Sequence, residues 1–156
     1  MPSLEYFLVC RSASVDVHSD EVTLSGVLED IDLESDGQAV VPRAVAVGLW
    51  NLTGADGGTD FQALLRITRP GEAKGSDFPV NLDKRRHRFR ALFAILDIPL
   101  DKPGELVFEM LLNATHAATH RVMVHPHGER VGQQDSLFPK GGNAPATPAT
   151  PDPSAR

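Results

Sequence analysis

The sequence is poor in cysteine, tryptophan and tyrosine, with one residue of each, and its acidic residues outnumber its basic ones. The single Cys10 excludes an intramolecular disulfide, which favours the cytosol, although a secreted protein without disulfides is also compatible with it. The formal net charge of -6 disfavours nucleic acid and anionic membranes as partners, because the summed field repels phosphate. No segment approaches the ~18 apolar residues of a membrane span, and the apolar run at 6–10 is too short for a signal peptide. We therefore expect a soluble, cytoplasmic protein.

Motifs for catalysis and cofactor binding are also missing. No Gly-x-Ser-x-Gly turn is present to expose a nucleophilic serine, and the glycines within 53–60 are not followed by the helix that a phosphate loop requires. Eight carboxylates lie between Asp16 and Asp36, but their spacing does not match a calcium-binding EF-hand loop. We interpret the segment 29–38 as a solvated acidic loop. The sequence thus predicts no catalytic residue and no cofactor, and it leaves open whether the protein is an enzyme.

Short segments in which apolar and polar residues alternate dominate the chain up to Val124. This period of two, together with β-branched and aromatic residues, predicts β-strands, and no segment has a convincing helical period. About eight such segments predict an all-β antiparallel sandwich, either immunoglobulin-like or jelly-roll-like. The predicted strands span 3–11, 21–28, 39–50, 60–68, 77–82, 88–96 and 106–113, and the last one ends at 124.

The predicted hairpin over 101–124 supplies much of the expected core. Its first strand places four apolar side chains on one face, namely Leu106, Phe108, Met110 and Leu112.

Three single residues and the first strand allow further predictions. We assign Trp50 to the core and interpret Cys10 as a small buried hydrophobe. The strand 3–11 is apolar on both faces, so we expect it to be central and to pair antiparallel with the next strand. Pro79 predicts an edge strand or a bulge, because proline cannot donate to the hydrogen-bond ladder.

The apolar periodicity ends near residue 125. The segment 141–156 is rich in proline, alanine and threonine and has nothing to bury. We therefore predict one β-sandwich domain over 1–125 and a largely disordered tail over 126–156, in which Leu137 and Phe138 are candidates for docking back onto the domain.

Several short motifs make the segment 3–124 similar to a known family. They include Leu4-Glu5-Tyr6-Phe7-Leu8-Val9-Cys10, Ser14-Val15-Asp16, Trp50, Arg69-Pro70-Gly71 and Pro103-Gly104-Glu105 before Phe108-Glu109. In these motifs the chain resembles a family of small uncharacterised bacterial proteins that form an all-β domain of unknown function. The resemblance implies a soluble bacterial β-domain. It supplies no activity or substrate, so no functional residue is transferred.

Four of the six histidines lie late in the sequence and are the candidate metal ligands: His116, His120, His125 and His127. Histidine is a common ligand for zinc, and residues two apart on a strand share a face, as 125 and 127 would. No other ligand completes a tetrahedral set locally, so Glu105 or Glu109 of the partner strand would have to contribute. Solvated histidines at the end of the strand are the simpler interpretation.

A basic segment precedes and enters the strand over 88–96. Its candidate contact residues for an anion or a partner are Arg85, Arg86, Arg88 and Arg90. Alternation places Arg88 and Arg90 outward and Phe89 toward the core. Such a segment can hold phosphates, but strand edges also carry lysine and arginine to prevent aggregation. The opposite charge of the 29–36 loop suggests a second copy of the chain as one possible partner.

The leading hypothesis for function is a non-catalytic binding or assembly module with a protein partner or with itself. One alternative is a metal-binding protein or metal-dependent enzyme that uses the late histidines with Glu109. The other is a binder of anionic ligands that uses Arg85 to Arg90.

Overall fold

A computed structural model of the protein describes residues 1–53, 61–81 and 87–129. These residues form nine β-strands and no helix, which confirms the predicted all-β class. The strands are β1 (Ser3–Val15), β2 (Val22–Val27), β3 (Asp30–Asp32), β4 (Ala39–Asn51), β5 (Ala63–Thr68), β6 (Ser76–Val80), β7 (Arg88–Leu100), β8 (Gly104–Leu112) and β9 (Thr115–His125). Most of the predicted tail, 130–156, lies outside the described residues.

The strands form two sheets that pack face to face. The four-stranded sheet has the order β2-β1-β4-β7, and the five-stranded sheet has the order β3-β9-β8-β5-β6. The predicted sandwich is therefore confirmed. As expected, β1 is a central strand and pairs antiparallel with β2. Pro79 lies in β6, which forms one edge of its sheet, again as expected.

The main core fills the space between the two sheets. Trp50 from β4 and Phe108 from β8 are its largest fully buried side chains, which confirms both assignments. The other three predicted core residues of β8, Leu106, Met110 and Leu112, are also buried. Alternation along each strand directs these residues to one face, and burial of that face from both sheets holds the sandwich together.

The predicted hairpin over 101–124 forms as β8 and β9, which pair antiparallel. Asn113 and Ala114 form its turn, and both have positive φ, as the tight hairpin turns require. Gly104 at the start of β8 has a φ of +137°, and a Cβ atom there would lie 3.3 Å from the Cβ of Pro70. The two Pro-Gly segments of the sequence therefore meet in space, and glycine fits at this close approach.

Two strand predictions were wrong. The acidic segment over 29–38 contains β3, which pairs parallel with β9 through Ile31 and Val124. Three residues are too few to give an alternation signal, although Ile31 and Leu33 are buried. The predicted strand over 88–96 was too short, because β7 continues to Leu100 beside β4. Pro99 is tolerated there because β7 is an edge strand.

Within the described ranges, no helix is long and apolar enough to cross a membrane.

Candidate functional site

The middle of the outer face of the four-stranded sheet, which points away from the core, is apolar, and Arg43, Arg88 and Arg90 flank it. On β1 and β4, Cys10, Val45 and Val47 form a buried cluster separate from the main core, with Tyr6 and Leu24 packed against it. The register continues this row onto β7, where Leu92 lies opposite Val47 and Ala94 lies opposite Val45. We name this surface the outer apolar face; it comprises Tyr6, Leu8, Cys10, Val45, Val47, Leu49, Leu92, Ala94 and Leu96.

The exposure of the outer apolar face rises toward the β7 edge. Val47 at its centre is 0% exposed, because its register neighbours Leu8 and Leu92 lie on either side of it. Leu92 is 43% exposed and Leu96 is 66% exposed. A soluble protein can carry isolated exposed leucines, but a contiguous apolar surface at a strand edge is typical of a contact site.

The β7 edge differs from the three other sheet edges. Edge strands are usually protected by being short or by carrying proline and charge. Accordingly, β2 has 6 residues, β3 has 3, and β6 has 5 with Pro79 among them. The strand β7 is longer, with 13 residues, and its proline and charged residues lie outside its middle segment 92–96. Among the described parts of the chain its hydrogen-bonded neighbour is β4 alone. Its other edge therefore has backbone groups available for a further strand.

Of the predicted basic residues, Arg88 and Arg90 are described, whereas Arg85 and Arg86 lie outside the described residues. Arg88 forms an ion pair with Glu5 of β1. Arg90 is less exposed, and its Nη1 donates to the Asp20 backbone oxygen at 3.2 Å and lies 3.7 Å from the Asp20 carboxylate. Both arginines thus contact acidic residues of their own chain.

A cleft of about 280 Å³ lies beside Arg90. Its other lining residues include Val15, Leu49 and Leu92. Phe89 packs against the main core, as alternation predicted. Arg90 Nε is buried without a hydrogen-bond partner, but an anion entering this cleft would meet the Asp20 carboxylate and compete with it for Arg90 Nη1.

The four candidate histidines do not converge. His116 hydrogen-bonds Thr119 at 2.6 Å, and His125 hydrogen-bonds the Asp30 carboxylate at 2.7 Å. His120 points to the other face of β9, where it bonds the Leu28 carbonyl at 2.6 Å and lies edge-on to Phe108. Each ring is therefore oriented by its own neighbour.

The predicted pairing of His125 with His127 does not form. The strand ends at His125, and His127 lies in the turn that follows, so the two residues do not share a strand face. Glu105 lies 3.5 Å from Arg121, and Glu109 lies opposite Thr119. Over residues 1–53, 61–81 and 87–129, no three histidine, cysteine or acidic side chains are placed to share a metal ion.

Cys10 is confirmed as a buried hydrophobe. Its thiol is fully buried and donates to the backbone oxygen of Ser12 at 3.2 Å. The backbone oxygen of Val45 is a second acceptor, 3.6 Å from the Cys10 sulfur. Burial raises the pKa of the Cys10 thiol above its ordinary value. Because the thiolate is the reactive form, both the burial of Cys10 and its raised pKa disfavour its reaction as a nucleophile.

The outer apolar face was not recognised as a site in the sequence. A signal was present, because the strands over 3–11 and 88–96 carry apolar residues on both faces. That pattern is typical of strands whose two faces both make contacts, but it does not show which strand forms the edge.

The sequence matches no protein-family model, and no curated protein is significantly similar to it. The resemblance over 3–124 therefore stays a prediction, and the candidate site depends on its geometry.

Proposed function

We propose that the protein is a non-catalytic, cytoplasmic binding or assembly module whose contact surface is the β7 edge with the adjoining outer apolar face. The observation that carries this proposal is the combination of a 13-residue edge strand with the exposed leucines Leu92 and Leu96. A partner strand added to an open edge gains backbone hydrogen bonds, and pockets for its side chains give specificity.

The apolar side chains supply the driving force for such an association. Fully burying a leucine contributes about 1.5–3 kcal/mol, so covering Leu96, which is 66% exposed, contributes about 1–2 kcal/mol. The centre of the face already excludes water around Val47, and a partner would extend this dry region to the rim. Ordering the partner costs free energy. Two exposed leucines and a short stretch of backbone pairing therefore support a moderate affinity rather than a permanent complex.

The alternative functions have less geometric support. The late histidines point to different faces of β9, and each hydrogen-bonds a separate group. The described arginines of the basic segment contact Glu5 and Asp20. Neither set offers a ligand a group of free side chains, whereas the β7 edge offers both backbone and apolar contacts.

The experiment is a capture assay with the immobilised full chain and lysate of the source organism. We expect the unmodified bait to retain a protein that the Leu92→Lys bait loses. Met123→Lys is the matched control, because Met123 lies on β9 of the other sheet and is 42% exposed, against 43% for Leu92. A captured protein that both variants retain equally, or the absence of both a captured protein and self-association of the chain, would contradict the proposal.

A further inference from the structure

The β7 edge has features that fit a second copy of the same strand. We propose that two copies of the chain pair through β7, antiparallel, about a two-fold axis at Ala94. This inference depends on the proposed function, since it names the partner of the same surface. The resulting dimer has one continuous eight-stranded sheet, in which β7 of each copy is no longer an edge. A symmetric contact of this kind closes on itself and does not grow into a filament.

The side chains of β7 select this register. Leu92, Ala94 and Leu96 point to the outer face, and paired residues of antiparallel strands point to the same face. With the axis at Ala94, Leu92 lies opposite Leu96 of the second copy, and the reverse pair forms by symmetry. Each of the two exposed leucines therefore covers the other.

Neighbouring registers give poorer pairs. An axis at Leu92 would place Leu96 opposite Arg88, and an axis at Phe93 would place Leu96 opposite Arg90. An axis at Leu96 would place Leu92 opposite Leu100, which is buried in the core between the sheets. The register centred on Ala94 is the one that matches both exposed leucines with leucines.

The backbone conformation of β7 limits the segment that can pair between the two copies to 92–96, the same segment that the leucines select. Asp97 has a φ of +52°, in the left-handed region, so the regular strand conformation is interrupted there. A seam from Leu92 to Leu96 in both copies is centred on Ala94 and contains five residue pairs. The β5–β6 pairing in the structure also has five pairs.

The charges of β7 favour the antiparallel orientation. Its first half carries Arg88 and Arg90, and its second half carries Asp97. Antiparallel pairing brings the basic end of one copy beside the acidic end of the other, whereas parallel pairing would place like charges together. A seam of this size lies at the low end of specific interfaces, so we expect a dissociation constant roughly in the micromolar range.

Disulfide formation between introduced cysteines tests the register of the proposed dimer directly. Paired Cα atoms in antiparallel strands lie about 4.5–5.5 Å apart, within the range of a disulfide, so we expect Ala94→Cys to form a covalent dimer on mild oxidation. Leu96→Cys is the register control, because its symmetry mate lies roughly 13 Å away along the strand. Ala117→Cys, on the exposed part of β9, is the control for random collision. Cys10 is buried and does not take part.

The second experiment measures self-association of the full chain by sedimentation. We expect a reversible dimer at about 100 µM, at least tenfold weaker self-association in Leu96→Lys, and no change in Met123→Lys. A chain that stays monomeric, or cross-linking as fast through Ala117→Cys as through Ala94→Cys, overturns the dimer. If the chain is monomeric but Leu92→Lys still loses a captured protein, the dimer is wrong and the binding function stands. If the chain is monomeric and Leu92→Lys loses no captured protein, the dimer and the proposed binding function are both wrong.

Discussion

The two sheets of the sandwich share one core but have different outer faces. The outer face of the five-stranded sheet carries charged pairs between strands: Arg66 of β5 pairs with Asp77 of β6 at 2.6 Å, and Arg121 of β9 lies 3.5 Å from Glu105 of β8. The outer apolar face of the four-stranded sheet carries Val45 and Val47 on β4 and Leu92 beside them on the edge strand β7. Apolar residues also lie on the outer face of the five-stranded sheet, Leu111 and Met123 among them, but the centre of the outer face of the four-stranded sheet has apolar side chains on three adjacent strands.

This difference locates the candidate site without any catalytic motif. Cross-strand ion pairs at a solvated surface contribute little stability but keep the surface soluble. Apolar side chains at a strand edge have the opposite effect, because water contacts them unfavourably until something covers them. The difference between the two outer faces therefore indicates where the protein makes contacts, and substitutions on the two sheets can test it.

The largest expected effect comes from the core that both sheets share. Phe108→Ala removes a fully buried ring from β8, and we expect the free energy of unfolding to fall by about 3–5 kcal/mol. Urea denaturation followed by circular dichroism measures this change. A loss below about 1 kcal/mol would show that the two sheets do not pack around Phe108.

A smaller effect is expected at the centre of the outer apolar face. Val47→Thr keeps the side-chain shape but places a hydroxyl where Val47 is 0% exposed, so we expect a loss of about 1–3 kcal/mol. The matched change on the other sheet is Val107→Thr, on the outer face of β8 opposite the exposed Arg121, where we expect less than about 0.5 kcal/mol. Equal losses at the two positions would contradict the difference between the faces.

At the rim of the outer apolar face, we expect a substitution to weaken association without changing the stability of the monomer. Leu96→Lys replaces a 66% exposed side chain, so we expect the free energy of unfolding of the monomer to change by less than about 0.5 kcal/mol. The measurement is thermal unfolding at a protein concentration well below the expected dissociation constant of the dimer, where association is minor. A large loss of stability would mean that Leu96 supports the fold, and its effect on binding would then be indirect.

The smallest effect is expected at the Arg66–Asp77 pair and depends on pH. The hydrogen bond from Arg66 holds the pKa of Asp77 below its ordinary value. A carboxylate with a lowered folded-state pKa adds stability above its unfolded-state pKa and loses it as the pH falls through the folded-state pKa. Asp77→Asn should therefore be slightly less stable than the unmodified protein at pH 7, with a difference that shrinks below about pH 4. A difference that is constant from pH 7 to pH 2 would exclude this ion pair as the cause.

Local patterns predicted most of the fold, because burial of one face imposes a period of two on each strand. The alternation in β1, β4 and β8 was long enough to show, whereas β3 has three residues and was missed. The predicted strand over 88–96 stopped short of Pro99, because the tolerance of an edge strand for proline depends on strand order. Strand order depends on contacts between distant segments, which alternation does not encode.

The candidate site was less predictable for the same reason. The late histidines are close in sequence, but β9 directs His120 and His125 to opposite faces. The basic segment looked free in sequence, but the fold places Glu5 and Asp20 beside its described arginines. Conversely, the outer apolar face joins β1, β4 and β7, whose adjacency exists only in the folded sheet.

Amide hydrogen exchange along β7, at about 1 µM and about 200 µM protein, tests most directly whether its edge pairs with another strand. Amides that point away from β4 exchange quickly at an open edge and slowly in a paired one. We predict that protection within 92–96 rises with concentration, while the β2 and β6 edges stay unchanged. Protection along β7 that is the same at both concentrations would contradict the pairing of this edge between copies of the chain.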